Sequence, residues 1–447
     1  MDRFILKDLV KWKVSKYRKP LILNGVRQVG KTWALKEFGV QNYQNVAYFN
    51  FEQNEEYKQF FETTKDPKRI IQNLIFSSGN KILPQETLII FDEIQECQKA
   101  LNSLKYFNEE AKEYHVACAG SLLGITLSKP SSFPVGNVDF LKINPISFSE
   151  FLSANGDGNL VNYIESIDRI EEIPAAFFNP LTEKLKMYFV TGGMPEAVKM
   201  WAVDGDIDLV QNAQSNIIEA YERDFSKQIN KKDFPKTSMI WKSIPSQLSR
   251  ENKKFLYNTI KEGARAREYE AALQWLVEVN IVKKIFRSSA PRLPVSAYDD
   301  LGAFKIYLSD VGILRRLSLL SPTAFGEGNR LFTEFKGALS ENFVLQSLIN
   351  QFEVTPRYWS VDNPKYEVDF VLQRGNDVFP IEVKSERNTE SPSLKKYKEK
   401  FAAETKIRVR FSMNNLKLDG DVLNIPMFLA DCTDKLIGFA LAKHTKH

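Results

Sequence analysis

Near its amino end the chain carries the octapeptide Gly25-Val26-Arg27-Gln28-Val29-Gly30-Lys31-Thr32. It follows an apolar run at residues 21–23 and precedes a helix-like segment at residues 33–38. Its spacing, G-x-x-x-x-G-K-[ST], is typical of a loop between a buried strand and a helix. The pattern predicts an α/β fold with a parallel sheet and a phosphate-binding loop at residues 25–32.

Each part of this loop has a chemical purpose. Because Gly25 and Gly30 lack a Cβ, the backbone N–H groups can point inward, and the following helix adds its positive end. Lys31 would reach the β and γ phosphates as a point charge, and Thr32 would ligate a magnesium ion between them. We therefore expect all eight residues to hold a nucleotide with Mg2+, and Lys31 to act in catalysis.

Two acidic residues supply a second part of the same site. The apolar run 87–91 ends in Asp92 and Glu93, as expected for a parallel strand whose carboxyl end faces the loop. We assign Asp92 to magnesium and Glu93 to orienting the attacking water. Ser121, after the apolar run 114–120, is the candidate sensor of the γ phosphate. The alternatives are an exposed acidic turn and a serine that merely starts a loop.

The composition describes an ordinary globular chain of 447 residues, 43% apolar and 26% charged. Three widely spaced cysteines indicate neither a disulfide framework nor a zinc site, and three histidines leave little room for histidine-dependent catalysis. No apolar run reaches the roughly 18 residues that span a bilayer, and the amino end does not resemble a signal peptide. We therefore expect a cytoplasmic protein with no membrane partner.

Five motifs resemble the AAA-type P-loop ATPases, and more closely a prokaryotic family in which this module precedes a winged helix and a C-terminal domain of unknown function. The motifs are GVRQVGKT (25–32), FDEIQ (91–95), AGSLLG (119–124), SFPVG (132–136) and TGGMPEAV (191–198). The resemblance implies that the P-loop NTPase sheet is followed by a helical lid, and that the chain binds and hydrolyses ATP. It also implies that Gly193, Pro195 and Glu196 approach the nucleotide, although Pro and Glu are ordinary choices at a helix start.

Positive charge is concentrated in two stretches. Residues 250–292 hold ten Lys or Arg against five Asp or Glu, and residues 384–410 hold nine against four. Because the whole chain carries only +5, the remainder is acidic. This asymmetry favours double-stranded DNA as a partner of the C-terminal half, and the alternative is a pair of solvated charged faces.

The first basic stretch has the order helix, helix, strand, strand. Two segments with helical spacing are followed by strand-like runs at 281–286 and 304–308, which a proline-rich loop at 290–294 separates. This order is typical of a winged helix, which either reads a DNA groove or docks a protein. Arg265 and Arg267, at the start of the second helix, favour DNA.

The second basic stretch surrounds a candidate hairpin. Asp369 lies in the alternating run 366–372, and Glu382 and Lys384 share one face of the returning run. In a hairpin the two carboxylates can meet and bind magnesium, while the ammonium stabilises charge on a phosphodiester. With Glu341 as a helical carboxylate, these residues resemble the PD-(D/E)xK nucleases. The resemblance implies a restriction-endonuclease-like α/β domain, although charged hairpins are also frequent on ordinary sheet surfaces.

Together these features predict four parts: an ATPase core with its lid (1–201), a helical connector (202–234), a winged helix (235–320) and a nuclease-like domain (331–431). One hypothesis is an ATP-driven enzyme that acts on nucleic acid through a Mg-dependent nuclease-like domain. The other is a nucleotide-dependent switch that binds DNA or a protein partner and cuts nothing. A homo-oligomer is left open, with Arg223 either a trans-acting finger or a plain surface residue. A protein remodeller is disfavoured, because no aromatic pore loop is evident.

Overall fold

The computed structural model describes residues 3–444 except 121–133, 135, 251–252, 326–332, 362–365 and 386–389. The chain divides into two compact units. The first is Met1–Asn144 with Glu278–Asn280, and the second is Pro145–Val277 with Ile281–His447. Within the described ranges, no helix is long and apolar enough to cross a membrane.

The first unit alternates helices and strands around one sheet. Its helices are α1 (Phe4–Val14), α2 (Lys31–Asn42), α3 (Glu56–Thr63), α4 (Pro67–Ser78) and α5 (Gln98–Glu110). Its strands are β1 (Leu21–Asn24), β2 (Asn45–Asn50), β3 (Thr87–Asp92), β4 (His115–Ala119) and β5 (Asp139–Lys142). In the described part of the unit all five strands pair in parallel, in the order β2-β3-β4-β1-β5. The predicted parallel sheet is confirmed.

Burial explains why these strands are apolar runs and not alternating ones. Every residue of β1, β3 and β4 is buried, because helices cover both faces of a parallel sheet. The rings of Phe51, Phe61 and Phe91 lie 5.5–5.6 Å apart and anchor β3 in the core. Since β1 and β3 run in the same direction, Asn24 and Asp92 end at the same edge of the sheet. The loop after β1 and the acid pair after β3 therefore leave from one edge.

The second unit begins with helices and continues into a mixed sheet. Its helices are α6 (Phe148–Ala154), α7 (Gly158–Ser166), α8 (Ala175–Thr191), α9 (Pro195–Asp204), α10 (Ile207–Gln228), α11 (Phe234–Leu248), α12 (Ala266–Glu278), α13 (Val311–Leu317), α14 (Thr333–Gln351), α15 (Pro392–Lys400) and α16 (Thr433–His444). Its strands are β6 (Val282–Ser288), β7 (Asp299–Leu308), β8 (Arg357–Ser360), β9 (Glu367–Arg374), β10 (Asp377–Val383), β11 (Arg408–Ser412), β12 (Lys417–Asp419) and β13 (Val422–Pro426).

The sheet of the second unit joins strands from two of the ranges predicted as separate domains. Its order over the described strands is β12-β13-β11-β10-β9-β8-β6-β7. Strand β6 pairs antiparallel with β7 and parallel with β8, so the predicted winged-helix strands continue the sheet of the C-terminal part. The predicted hairpin is present as β9 and β10, with Phe370 opposite Ile381. The helix, helix, strand, strand order is also present, whereas the winged-helix assignment and the four-part division stay predictions.

Candidate functional site

The loop between β1 and α2 is tightly folded. Gly30 caps α2 with φ 93°, in the left-handed region that favours glycine, and Gln28 also has a positive φ of 62°. At Gly25 a Cβ would lie 2.4 Å from the carbonyl oxygen of Ile143, so no larger residue fits there. The amino end of α2 therefore opens onto a compact loop, which is the geometry that binds a phosphate group.

Lys31 is held at this loop by backbone oxygens. Its Nζ donates to the carbonyls of Gly25 and Val26, at 3.0 Å each. Burial lowers the pKa of Lys31 to about 8, and the nearby carboxylates of Glu93 and Asp92 offset part of that effect. Carbonyl dipoles neutralise an ammonium less completely than an anion does. The side chain is thus placed to exchange two carbonyls for phosphate oxygens.

Asp92 is bound by hydroxyl groups. The Thr32 hydroxyl donates to it at 2.9 Å, and the Tyr48 hydroxyl donates to Oδ2 at 2.7 Å. Among the described residues, no lysine or arginine forms an ion pair with this carboxylate. An adjacent hydroxyl and carboxylate are the oxygen ligands that Mg2+ prefers. Thr32 and Asp92 therefore fit a magnesium ion.

Glu93 lies directly beside this pair. Its φ of 50° places it in the left-handed region, its N–H donates to Asp92 Oδ1 at 3.1 Å, and Gln95 donates to its carboxylate. Burial raises the pKa of Glu93, and the charge of Asp92 raises it further. A raised pKa makes a carboxylate a better proton acceptor near neutral pH. The strained backbone and the pKa both fit the predicted role toward water.

Two residues of this site escaped the sequence analysis. The buried Arg3 donates to the carbonyl of Asn144 at 2.6 Å and to that of Val29 at 3.4 Å, so it ties the phosphate loop to the chain after β5. Tyr48, on β2, carries the ammonium of Lys36 3.5 Å from its ring centroid, and burial raises its pKa to about 12. Neither residue belongs to a local motif, so no sequence signal marked it.

The remaining nucleotide predictions lie elsewhere. Ser121 falls outside the described residues. Gly193 and Pro195 belong to the second unit, where the N–H of Gly193 donates to the buried Asp310 at 2.6 Å and Pro195 begins α9, with Glu196 in its first turn. Burial raises the pKa of Asp310 to about 6. This packing accounts for the Gly-Gly-x-Pro sequence locally, and its approach to a nucleotide stays a prediction.

The predicted nuclease residues are in the second unit, and each carboxylate has a partner. Glu341, on α14, accepts from the Lys253 ammonium at Oε1 and from the Tyr307 hydroxyl at Oε2, the latter at 2.9 Å. Glu382 Oε1 is 2.6 Å from Lys384 Nζ. Glu382 and Lys384 thus share a face, as predicted.

Asp369 lies within electrostatic reach of the other two predicted ligands. Its Oδ2 accepts the N–H of Val383 at 2.8 Å. Burial raises the pKa of Asp369, and the charges of Glu341 and Glu382 raise it further. Burial opposes ionisation of Glu341 too, but Lys253 and Lys305 lower its pKa below the ordinary value.

The fit of this cluster to a metal is poor. In the part of the chain that the structure describes, no three His, Cys, Asp or Glu residues form a group that could hold a metal ion. Lys253 and Tyr307 already bind both oxygens of Glu341, Lys384 binds one oxygen of Glu382, and a backbone N–H binds one oxygen of Asp369. The predicted ligand set Glu341, Asp369 and Glu382 is therefore close together without forming a ligand shell.

The arginines singled out from the sequence differ in their surroundings. Arg265 precedes α12 and Arg267 lies in its first turn, and both are exposed. In the described ranges neither guanidinium has a hydrogen bond or an ion pair. Arg223 is exposed on α10 and pairs with Glu219 at 3.4 Å. Its role as a trans-acting finger stays a prediction.

Three protein families match separate parts of the chain. Residues 17–152 match the AAA domain, residues 182–324 match a domain of unknown function (DUF8612), and residues 336–428 match another (DUF4143). No curated protein sequence matches the chain. The AAA match at residues 17–152 and the loop geometry confirm the predicted ATPase.

The chain is also similar to several solved structures. A Walker-type ATPase of Pyrococcus abyssi has 13% identity and a TM-score of 0.43, over 71% of this chain and 95% of that one. The ORC1 protein of Aeropyrum pernix in complex with DNA has 13% identity and a TM-score of 0.28, over 70% and 90%. The RuvB Holliday junction branch migration motor of Thermotoga maritima has 14% identity and a TM-score of 0.28, over 66% and 91%. Values this low support no inference about substrate or partner.

Proposed function

We propose that this ATPase binds ATP with Mg2+ and couples its hydrolysis to nucleic acid. The observation that carries the first part is the convergence of Lys31, Thr32, Asp92 and Glu93 at one edge of the sheet. The observation that supports the second is the pair of exposed arginines at the start of α12, neither of which has a partner among the described residues.

The residues of the first unit have distinct tasks in this proposal. Lys31 leaves its two carbonyls for phosphate oxygens, and the loop N–H groups bind the same phosphates. Thr32 and Asp92 would hold Mg2+, which neutralises phosphate charge when it is bound. Glu93 accepts a proton from the attacking water. Tyr48 keeps Asp92 in position.

The test of the nucleotide site is Lys31→Ala. We expect ATP hydrolysis to fall roughly 10²–10³-fold, because the variant loses the positive charge directed at the transferred phosphate. The matched control is Lys11→Ala, since Lys11 is an exposed lysine whose ion pair in the described part of the chain is with Asp8. Equal activity of the Lys31 variant and the wild type would contradict the assignment.

Nucleic-acid binding is tested on α12. Replacing both Arg265 and Arg267 by Ala should weaken binding to duplex DNA and reduce the salt dependence of the affinity by about two phosphate contacts. Arg169→Ala, at an exposed arginine paired with Glu171, is the control. ATP hydrolysis measured with and without DNA shows whether the two activities are coupled. No DNA binding by the wild type at low salt would refute this part.

The C-terminal part admits two functions. The sequence favours a Mg-dependent nuclease, and the observed pairing of its carboxylates favours a nucleotide-dependent switch with a silent nuclease-like domain. We therefore propose the switch, with DNA as the partner. If the wild type cleaves plasmid DNA in Mg2+ and Glu382→Gln abolishes this cleavage, the nuclease hypothesis holds instead.

The remaining parts of the proposal concern control of hydrolysis. We propose that Ser121 senses the γ phosphate and that Gly193 and Pro195, in the lid, respond to it. Substituting each residue and measuring hydrolysis separately from ATP binding tests these roles, because a sensor changes the rate and leaves the affinity nearly unchanged.

A further inference from the structure

The carboxylates of the nuclease-like region are neutralised from another part of the chain. Lys253 lies between α11 and α12, and Lys305 and Tyr307 lie on β7, two residues apart and on one face. All three belong to the range 182–324, whereas Glu341 and Glu367 belong to the range 336–428. Two regions that match different families thus meet in one ionic cluster.

The contacts in this cluster are direct. Lys253 pairs with Glu341, and Lys305 pairs with Glu367 at the start of β9. The side chain of Lys305 is 0% exposed, and its ammonium also lies 4.9 Å from the ring centroid of Tyr358. A buried ammonium of this kind persists only with a carboxylate beside it.

The charges of the cluster nearly balance without a metal ion. Its four carboxylates are Glu341, Glu367, Asp369 and Glu382. Its cations are Lys253, Lys305 and Lys384, with Arg410 opposite Glu382 in the adjacent strand. A bound divalent ion would add two positive charges to a cluster whose four carboxylates already face four cationic side chains. Mg2+ would also need near-octahedral oxygen ligands.

The oxygens that a metal would need are largely taken. Glu341 uses one oxygen for Lys253 and the other for Tyr307, and Asp369 Oδ2 accepts a backbone N–H. Glu382 Oε2 is buried without a hydrogen-bond partner in the described part of the chain. It and Asp369 Oδ1 are the oxygens left there for a metal, and Glu341, the third predicted ligand, has none free.

The lysines are fixed in place. Strand β7 pairs with β6 along most of its length, and β6 pairs with β8, so Lys305 belongs to the sheet and not to a detachable arm. Lys253 has φ 38°, an uncommon conformation for a residue with a side chain. The surrounding structure therefore imposes this backbone on Lys253.

We propose that Lys253 and Lys305 take the place of a divalent cation in this cluster, so that the region keeps nuclease carboxylates without binding the metal. This inference rests on the proposed reading of residues 331–431 as nuclease-like. It deepens the switch hypothesis, because it names the residues that keep the domain silent.

The first experiment is Mn2+ binding to the nucleotide-free full-length chain, followed by electron paramagnetic resonance. We expect the wild type to bind no Mn2+ at this cluster, so Glu382→Gln should leave the bound Mn2+ unchanged. One Mn2+ per chain that survives in Asp92→Ala and disappears in Glu382→Gln would overturn the proposal. This experiment needs no lysine variant, so its result does not depend on whether such a variant folds.

The second experiment removes one built-in cation. Lys253→Met should gain a Mn2+ response, with Tm rising by about 4 °C or more at saturating Mn2+, because the vacated oxygen can bind metal. Lys406→Met, at an exposed lysine 2.7 Å from Asp377, should gain none. A folded Lys253 variant that ignores Mn2+ would overturn the proposal. ATP hydrolysis and DNA binding are measured separately. Loss of either activity would count against the proposed function, whereas the Mn2+ response alone tests this inference.

Discussion

Both units carry a group of carboxylates, but the groups that bind these carboxylates differ. In the first unit Asp92 accepts from Thr32 and Tyr48, which are neutral, and it forms no ion pair among the described residues. In the second unit Glu341 and Glu367 pair with ammonium groups. Acidic residues with similar sequence patterns therefore differ in their capacity to bind a metal ion. The difference depends on whether the hydrogen-bond donor is a neutral hydroxyl or an ammonium group.

The strongest test of this difference between the two units is a substitution at Glu93. If the first unit is the catalytic one, Glu93→Gln should lower ATP hydrolysis by about 10²–10⁴-fold, because an amide cannot accept the proton of water. ATP affinity should remain, since the loop is untouched. The control is Glu96→Gln, three residues away and exposed. Steady-state hydrolysis and nucleotide binding are the two measurements, and unchanged hydrolysis would remove Glu93 from the site.

The second unit is probed at Lys305. Lys305→Met should lower the free energy of unfolding by about 3–5 kcal/mol, because it strands the partly buried carboxylate of Glu367. Lys406→Met should have the small effect of an exposed pair. Denaturant unfolding of both variants measures the difference. Equal stability would mean that the lysine is not part of an ionic core.

A third prediction concerns the single hydroxyl of Tyr48 that binds Asp92. Tyr48→Phe removes a hydrogen bond to a charged group, and we expect hydrolysis to fall about tenfold with little change in ATP affinity. Tyr57→Phe, on α3 in the same unit, is the matched control. A loss of affinity equal to the loss of rate would assign Tyr48 to binding instead.

The smallest expected effect is a pH dependence at Lys31. Its pKa is about 8 without nucleotide, and phosphates favour its charged form, so binding takes up a proton above pH 8. ATP affinity should fall by at most tenfold per pH unit there. Calorimetry in two buffers of different ionisation enthalpy measures the proton uptake. Lys31→Arg should abolish it, because arginine stays charged.

The same pKa shift has the opposite sign for stability. The pKa of Lys31 is lowered from 10.5 to about 8 in the folded chain, so the unfolded chain binds more protons between these values. The free energy of unfolding therefore rises with pH across this window. A stability that fell over the same range would contradict the lowered pKa.

The sequence predicted what local patterns can encode. The loop at Gly25, the acid pair at Asp92 and the hairpin at Asp369 each combine an apolar run with a turn or a charged end. Lys305 shows the limit of this approach, because a lysine in an alternating strand is expected at the surface, yet it is fully buried. Its partner is 62 positions away in the chain, and no local pattern marks such a pair. Arg3 and Tyr48 escaped prediction for the same reason.

The continuous sheet of the second unit has a practical consequence for dissecting the chain. A fragment that began after Leu320 would keep β8 to β13 but lose β6 and β7, and with them Lys253 and Lys305. Its acidic residues would be left bare, and an unpaired strand edge would invite aggregation. Metal uptake or DNA cutting by such a fragment would report on the truncation and not on the intact protein.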